Sequence, residues 1–301
     1  MPSPPRISGP STVQFATQPI RRIPAQQSTP PIHAIEHIRR MRGGAQSQLM
    51  RCSDAHRYVI KFQNNPQGRR VLVNELLGTL LARLLDLPTA IPAVVHVCDE
   101  LINVTSELCI ELPKSRMPLQ PGPQFGSRYV FHPRIHAAVD CLPDALVSQV
   151  QNLRDFAGML VFDKWTCNTD GRQVLFPRNG LKYKVVMIDQ GFCFNAGEWN
   201  FPDAPLRGRY TRTCVYDGIH GIDDFEPWLN KLETQIDEHA IWECAAGIPP
   251  EWYGSDTVAL SRLLDTLNRR RTRVRELLWS IQGCKDFLRT WACQKAFTAA
   301  D

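Results

Sequence analysis

Residues 58–88 read YVIKFQNNPQGRRVLVNELLGTLLARLLDLP. Tyr58-Val59-Ile60-Lys61-Phe62 is a β-branched and aromatic run between Ser53-Asp54 and Asn64-Asn65-Pro66. It predicts a strand with turns at both ends. Arg69 to Asp86 is leucine-rich and closed by Pro88. It predicts a helix, apolar on most faces and therefore buried. Each element carries one charge out of place. Lys61 lies in an apolar strand and Glu75 in a buried-looking helix, which is costly unless the two are paired. Paired with each other, they would hold the lysine rigidly with N–H donors aimed at phosphate oxygens. An edge lysine and an exposed helix glutamate fit the same residues.

Outward from this unit, Arg42-Gly43-Gly44-Ala45-Gln46-Ser47-Gln48 precedes the strand. Paired glycines let backbone amides approach a phosphate. Alone they fit an ordinary turn equally well, and no Gly-Lys-Ser/Thr follows, so this is not a Walker A loop. Downstream, Ala93 to Val97 predicts a second strand and Leu108 to Leu112 a third. The proline-dense stretch from Pro113 to Pro123 reads as a connector. A helix is expected from Asp144 to Trp165, then a hairpin, Gln173 to Phe176 and Tyr183 to Ile188, turning at Asn179-Gly180. Residues 222–296 are expected to be mainly helical, with an amphipathic helix marked by Leu260, Leu263, Leu264 and Leu267.

Two loops in this half carry carboxylates. Asn168-Thr169-Asp170-Gly171-Arg172-Gln173 opens the hairpin. A carboxylate on a tight loop suits a base that accepts a hydroxyl proton, and Arg172 is a candidate for phosphate charge. An Asx-turn aspartate is the plainer alternative. Val185 to Ile188 ends in Asp189-Gln190-Gly191. A strand-end aspartate supplies hard oxygen ligands to Mg²⁺, or simply starts a turn.

Composition narrows the classes. The chain has 301 residues, 43% hydrophobic and 22% charged, which is ordinary globular composition and excludes disorder throughout. The formal net charge of +5 is too small to imply a nucleic-acid partner by itself. The 10 cysteines include no C-x-x-C pair, which argues against a zinc ribbon or thioredoxin motif. Scattered cysteines, no apolar span and no secretory core lead to the expectation of a cytoplasmic protein without membrane partners. Residues 1–32 are rich in Pro, Ser, Gln and Thr and read as a disordered or loosely docked tail.

The order of parts is glycine loop, strand lysine, helix glutamate, loop aspartate, hairpin and strand-end Asp-x-Gly. It is the order found in protein-kinase-like phosphotransferases. Met41 to Phe62 (MRGGAQSQLMRCSDAHRYVIKF) resembles the nucleotide-binding start of the HipA-like kinases. Asn74-Glu75 through Leu87-Pro88, Phe125-Gly126-Ser127, Asn168-Thr169-Asp170 and Ile188-Asp189-Gln190-Gly191 are similar to further segments of that family. The resemblance implies an α+β, bilobed protein-kinase-like fold. Its small β-rich N-lobe with one helix would span residues 33–115, and its larger, mainly helical C-lobe residues 116–301. It also implies ATP with Mg²⁺ and transfer to a hydroxyl, foremost a protein Ser or Thr. Lys61 would meet the phosphates with Glu75 as partner, and Gly43, Gly44, Ala45, Gln46 and Ser47 would form the phosphate loop. Asp170 would be the base and Asp189 the main metal ligand.

In one respect the chain departs from the family. The asparagine expected a few residues after the base is missing before Asn179, and Gln173 is the nearest substitute as second metal ligand. A catalytically weak nucleotide-binding scaffold therefore stays open beside the kinase, as does a kinase for small molecules or lipid head groups. His33 and His37, and His132 and His136, sit four apart but lack further ligands in a recognised pattern. Arg269-Arg270-Arg271 with Arg273 and Arg275 reads as a solvated face or as a docking patch for an acidic partner or RNA. Trp228, Trp242, Trp252, Trp279 and Trp291 are expected to pack the helical part.

Overall fold

In the computed structural model, the structure describes residues 30–130, 139–204 and 206–281. It is a mixed α+β protein. Five strands close into a barrel in the order β1-β2-β3-β7-β4. They are β1 (Ile32–Arg40), β2 (Gln48–Cys52), β3 (Arg57–Lys61), β4 (Pro92–Val97) and, after a two-stranded excursion of β5 (Cys109–Leu112) and β6 (Ser115–Pro118), β7 (Gly122–Arg128). Neighbours are antiparallel except at the seam, where β1 runs parallel to β4. Alternation along β3 assigns its two faces. Tyr58 and Ile60 join Met50, Val95 and Phe62 in the barrel core, while Val59 and Lys61 look outward.

Helix α1 (Arg70–Leu84) packs between this barrel and the helices that follow, and its buried leucines belong to the second, larger core. Helix α2 (Asp99–Val104) is a short extra helix between β4 and β5. The expectation of a single helix in this half is thus corrected: Asp99 and Glu100 in its first turn favour helix there. The expected boundary at 115/116 is corrected as well. It falls inside the β5–β6 hairpin, and β7 returns to the barrel between β3 and β4. Gly126 allows that return: a Cβ there would lie 2.6 Å from Val95 Cγ2. The tail assignment is shortened by the strand that already begins at Ile32, and residues 1–29 lie outside the described residues.

The second part begins with α3 (Asp144–Val147) and α4 (Asp155–Thr166), a pair where one long helix was expected. Strands β8 (Gln173–Leu175), β9 (Arg178–Asn179), β10 (Lys182–Tyr183) and β11 (Val186–Ile188) form the expected hairpin. Its tip is Gly180-Leu181, one residue later than expected, because Asn179 pairs with Lys182. The remainder is α5 (Glu226–Asn230), α6 (Glu238–Ala245), α7 (Thr257–Arg270) and α8 (Val274–Ile281). Trp165 and Trp252 are fully buried, with Trp228 and Trp242 packed in the same core. Trp279 is 43% exposed, and Trp291 and the second histidine pair lie outside the described residues.

The arginine cluster is a solvated face only in part: Arg269 and Arg273 are exposed, while the others turn inward. Arg270 is buried, ion-paired with Asp203 and donating to the Lys164 carbonyl. Arg275 bridges Glu226 and Glu233, and Arg271 donates to the Leu232 carbonyl. Arg270, Arg271 and Arg275 lock the end of α7 and the start of α8 onto α4, α5 and the turn after it. Among the described residues no group of three or more His, Cys, Asp or Glu could hold a metal, and no helix is long and apolar enough to cross a membrane.

Close packing of α4 on α5 yields a stability test. A Cβ on Gly158 would lie 2.3 Å from Trp228 Cε2. Gly158→Ala is therefore expected to cost about 1–3 kcal/mol through overpacking. A lowered urea midpoint with an unchanged denaturant slope would register it.

Candidate active site

A cleft of about 700 Å³ opens between the outer face of β3 and β7 and the β8–β11 hairpin. Strand register places its upper wall. Val59 pairs with Ser127 and Lys61 with Phe125, and all four side chains line the cleft. Below them lie Leu175, Met187 and Ile188 from the hairpin, with Asp189 and Gln173 at its end.

Lys61 is the hub. Its Nζ is ion-paired with Glu75 Oε1 on α1 and donates to Asp189 Oδ1 at 2.9 Å. The side chains of Lys61 and Glu75 are 9% and 3% exposed, that of Asp189 26%. Glu75 also accepts from the backbone N of Gln190 through Oε2 at 2.9 Å. The three charges thus tie β3, α1 and the end of β11 together. Burial pushes the Glu75 carboxyl up to about 7, against the opposing pull of Lys61. Burial would raise Asp189 too, but the Lys61 ammonium draws it below its ordinary value. Burial works against the Lys61 charge, and its two carboxylates more than offset that.

Asp189 sits in the left-handed region, with φ 56°. For a residue with a Cβ, such a backbone is held by its surroundings. Here Asn74 Nδ2 donates to the carbonyls of Gly191, Cys193 and Ala196, pinning the turn from α1. A Cβ on Gly191 would lie 2.8 Å from Val71 Cγ1, so glycine alone fits that approach.

The expected exposed position of Arg172 is not what the structure shows: its side chain is buried, ion-paired with Asp163 on α4. Its Nε donates to Asp163 Oδ2 at 3.0 Å. Its Nη1 donates to the Ile188 carbonyl at 3.1 Å and to Gln190 Oε1 at 2.8 Å. Asn168 completes the set, its Nδ2 donating to Asp163 Oδ1 at 3.0 Å and its Oδ1 accepting from Asp170 N at 3.2 Å. Arg172 therefore joins the Asp170 loop to the strand end that bears Asp189.

The expected glycine loop forms the turn between β1 and β2. Of the predicted residues, Ser47 lines the cleft, with Met41 and Arg42 beside the glycines. Gly43, with φ 119°, turns the chain between β1 and β2. Gln46 N donates to the Gly43 carbonyl at 3.1 Å, and the Gln46 side chain is tied to the backbone of Glu111. Gly43, Gly44, Ala45 and Gln46 thus shape the hairpin outside the cleft lining.

Asp170 is exposed at the rim, outside the lining itself. Its Oδ1 accepts from Gly171 N at 2.8 Å and its Oδ2 from Gln173 Nε2 at 3.3 Å. Gln173 connects this rim to the cleft that Asp189 enters.

A family model described as HipA-like kinase matches residues 34–196, more than half of the chain. The chain belongs to this family. The matched stretch of this HipA-like kinase contains every residue of the Lys61, Asp163 and Asp189 networks just described. No curated protein matches the chain in sequence. Among solved structures, the chain is similar to the Helicobacter pylori proinflammatory kinase CtkA at 14% identity and a TM-score of 0.49, covering 82% of this chain and 99% of that one. It is also similar to hydra Fam20 with sugar, at 12% identity and a TM-score of 0.48, over 85% and 86% of the two chains. A Golgi casein kinase with Mn/ADP bound gives 11% identity and a TM-score of 0.37, over 85% and 73%.

The signal for Asp163 was present but unread. It is a carboxylate inside an apolar helix, the same anomaly that marks Glu75. Arg39, Arg42 and Ser127 of the cleft wall carry no such mark in the sequence.

Proposed function

We propose that this HipA-like kinase transfers the γ-phosphoryl group of ATP to a hydroxyl, foremost that of a protein Ser or Thr, with Mg²⁺. The buried Lys61–Glu75–Asp189 network at the wall of a nucleotide-sized cleft carries this reading. The barrel with α1 serves as N-lobe, from Ile32 to Arg128, and the helical part from about Val139 as C-lobe. Lys61 presents its ammonium to the phosphates from a fixed position. Glu75 fixes that position and offsets the buried charge. Asp189, with Gln173 as second oxygen donor, suits Mg²⁺, an ion that takes few protein carboxylates and fills its shell with water and phosphate oxygens. When bound, that ion neutralises charge on the transferred phosphoryl group. Asp170 accepts the proton of the acceptor hydroxyl at the exposed rim, where an acceptor as large as a protein has access.

The position of Asp170 outside the cleft lining favours a second reading, a nucleotide-binding scaffold with weak transfer. Turnover separates the two. With ATP and Mg²⁺, wild-type protein is expected to release or transfer labelled phosphate. Asp170→Asn is expected to lower that rate about 10²–10⁴-fold, the range for a general base, while nucleotide affinity is unchanged. ATP binding without any transfer in the wild type would favour the scaffold.

A further inference from the structure

We infer that Arg39 and Arg42, on the β1–β2 hairpin, join Lys61 in taking up the charge of the nucleotide polyphosphate. The inference rests on reading the cleft as the nucleotide site. Gly43 and Gly44 lie outside the cleft lining. Met41 N donates to the Ser47 carbonyl at 2.7 Å and Gln46 N to the Gly43 carbonyl, so two of the loop's amides are spent on the turn. Lys61 already serves two carboxylates. The cleft also holds Glu75 and Asp189, which repel a polyphosphate. Beside the Mg²⁺ of the proposed reaction, further positive side chains in the lining would offset that repulsion.

Arg39 and Arg42 both line the cleft. Arg39 pairs with Leu49, and Leu49 with Val59. Directly opposed residues share a face, so Arg39 lies on the face that carries Val59 and Lys61. Arg128 of β7 lines the cleft too and likewise has no acidic partner among the described residues; within the β1–β2 hairpin, charge pairing sets Arg39 and Arg42 apart. Elsewhere on the hairpin, Arg40 is paired with Glu111 at 2.8 Å and Arg51 with Glu36 at 2.6 Å. Among the described residues, neither Arg39 nor Arg42 has an acidic partner. Both are exposed, and Arg39 makes a single long contact, to the Arg40 carbonyl at 3.4 Å. A guanidinium fork matches phosphate oxygens in geometry as well as charge.

Titration calorimetry on the full chain tests this with three probes: ATP, adenosine and inorganic tripolyphosphate. The doubly substituted Arg39→Ala, Arg42→Ala protein is expected to bind ATP and tripolyphosphate about 10–100-fold more weakly, each lost charge-assisted contact counting for about tenfold. Adenosine affinity is expected to hold within about twofold, and the salt dependence of ATP binding to flatten. Lysine at both positions is expected to recover part of the loss, as a point charge without the fork. Should the double variant fail to fold, the single Arg→Gln variants carry the same comparison. Unchanged ATP affinity in the variants overturns the inference and leaves the nucleotide reading standing. So does unchanged ATP affinity with lost transfer to an acidic peptide, which would assign the arginines to the acceptor. A wild-type protein that binds neither ATP nor adenosine overturns the nucleotide reading itself.

Discussion

Asp163→Asn is expected to destabilise the protein by about 3–5 kcal/mol, the usual cost of stripping one partner from a buried ion pair. Both side chains are inaccessible, at 1% and 0% exposure for Asp163 and Arg172. The neutral amide retains hydrogen-bonding atoms but leaves the guanidinium without a counter-charge, and water does not reach it. Urea unfolding followed by far-ultraviolet dichroism measures the loss. The double change Asp163→Leu with Arg172→Met removes both charges, and it is expected to recover much of that stability, as apolar replacements of buried pairs do. It is not expected to recover phosphoryl transfer. Arg172 also donates to the Ile188 carbonyl and to Gln190 Oε1, and without those bonds the Asp170 loop and the Asp189 strand end are no longer held in register. A double variant with full turnover would show that the pair serves stability alone.

Lys61→Met is expected to lower turnover about 10²–10³-fold, comparable to removing one preorganised charge-stabilising donor from an active site. The same substitution leaves Glu75 and Asp189 facing each other without the cation between them. In the wild type, burial already raises Glu75 to about 7. A carboxyl whose folded value lies above its unfolded value binds its proton more tightly in the folded state. Its contribution is therefore favourable at low pH and is lost as pH rises through that interval. Without Lys61, Glu75 is driven higher still. The stability gap between wild type and Lys61→Met is expected to be small near about pH 5 and to widen toward about pH 8. Thermal unfolding across that range checks it. Adding Glu75→Gln is expected to flatten the profile, and a gap independent of pH would remove Glu75 from the account.

The legible parts of the site were those where a residue contradicts its immediate neighbours. Lys61 in a β-branched run and Glu75 in a leucine-rich helix are anomalies at the scale of one element, so their pairing can be argued from the chain alone. Arg172 is different. Its neighbours Asp170 and Gly171 suggest a loop open to solvent, while its partners are Asp163, one helix end away, and Ile188 and Gln190 across a hairpin. Only the folded hairpin brings them together. Strand β7 was obscured by Gly122, Pro123 and Gly126, residues that disfavour strand. It forms because Gly126 fits tightly against Val95 and Tyr58, a tertiary condition that no local pattern encodes.

The late entry of β7 into the barrel has a consequence for how the chain acquires its shape during synthesis. As the chain emerges, β1, β2 and β3 can zip up by short hairpins, but β3 then waits for a neighbour that is made only after β4, α2 and the β5–β6 hairpin. Until Arg128 reaches Tyr58, β3 presents an open edge bearing Val59 and Lys61, and such edges recruit foreign strands. Pairing across so long a stretch of chain is slow, because loop closure must precede any gain from contact. The seam between Ile32 and Val95 faces the same delay. A ribosome-bound or truncated product ending at the β5–β6 hairpin is thus a half-open cylinder, with the β3 edge exposed to aggregation.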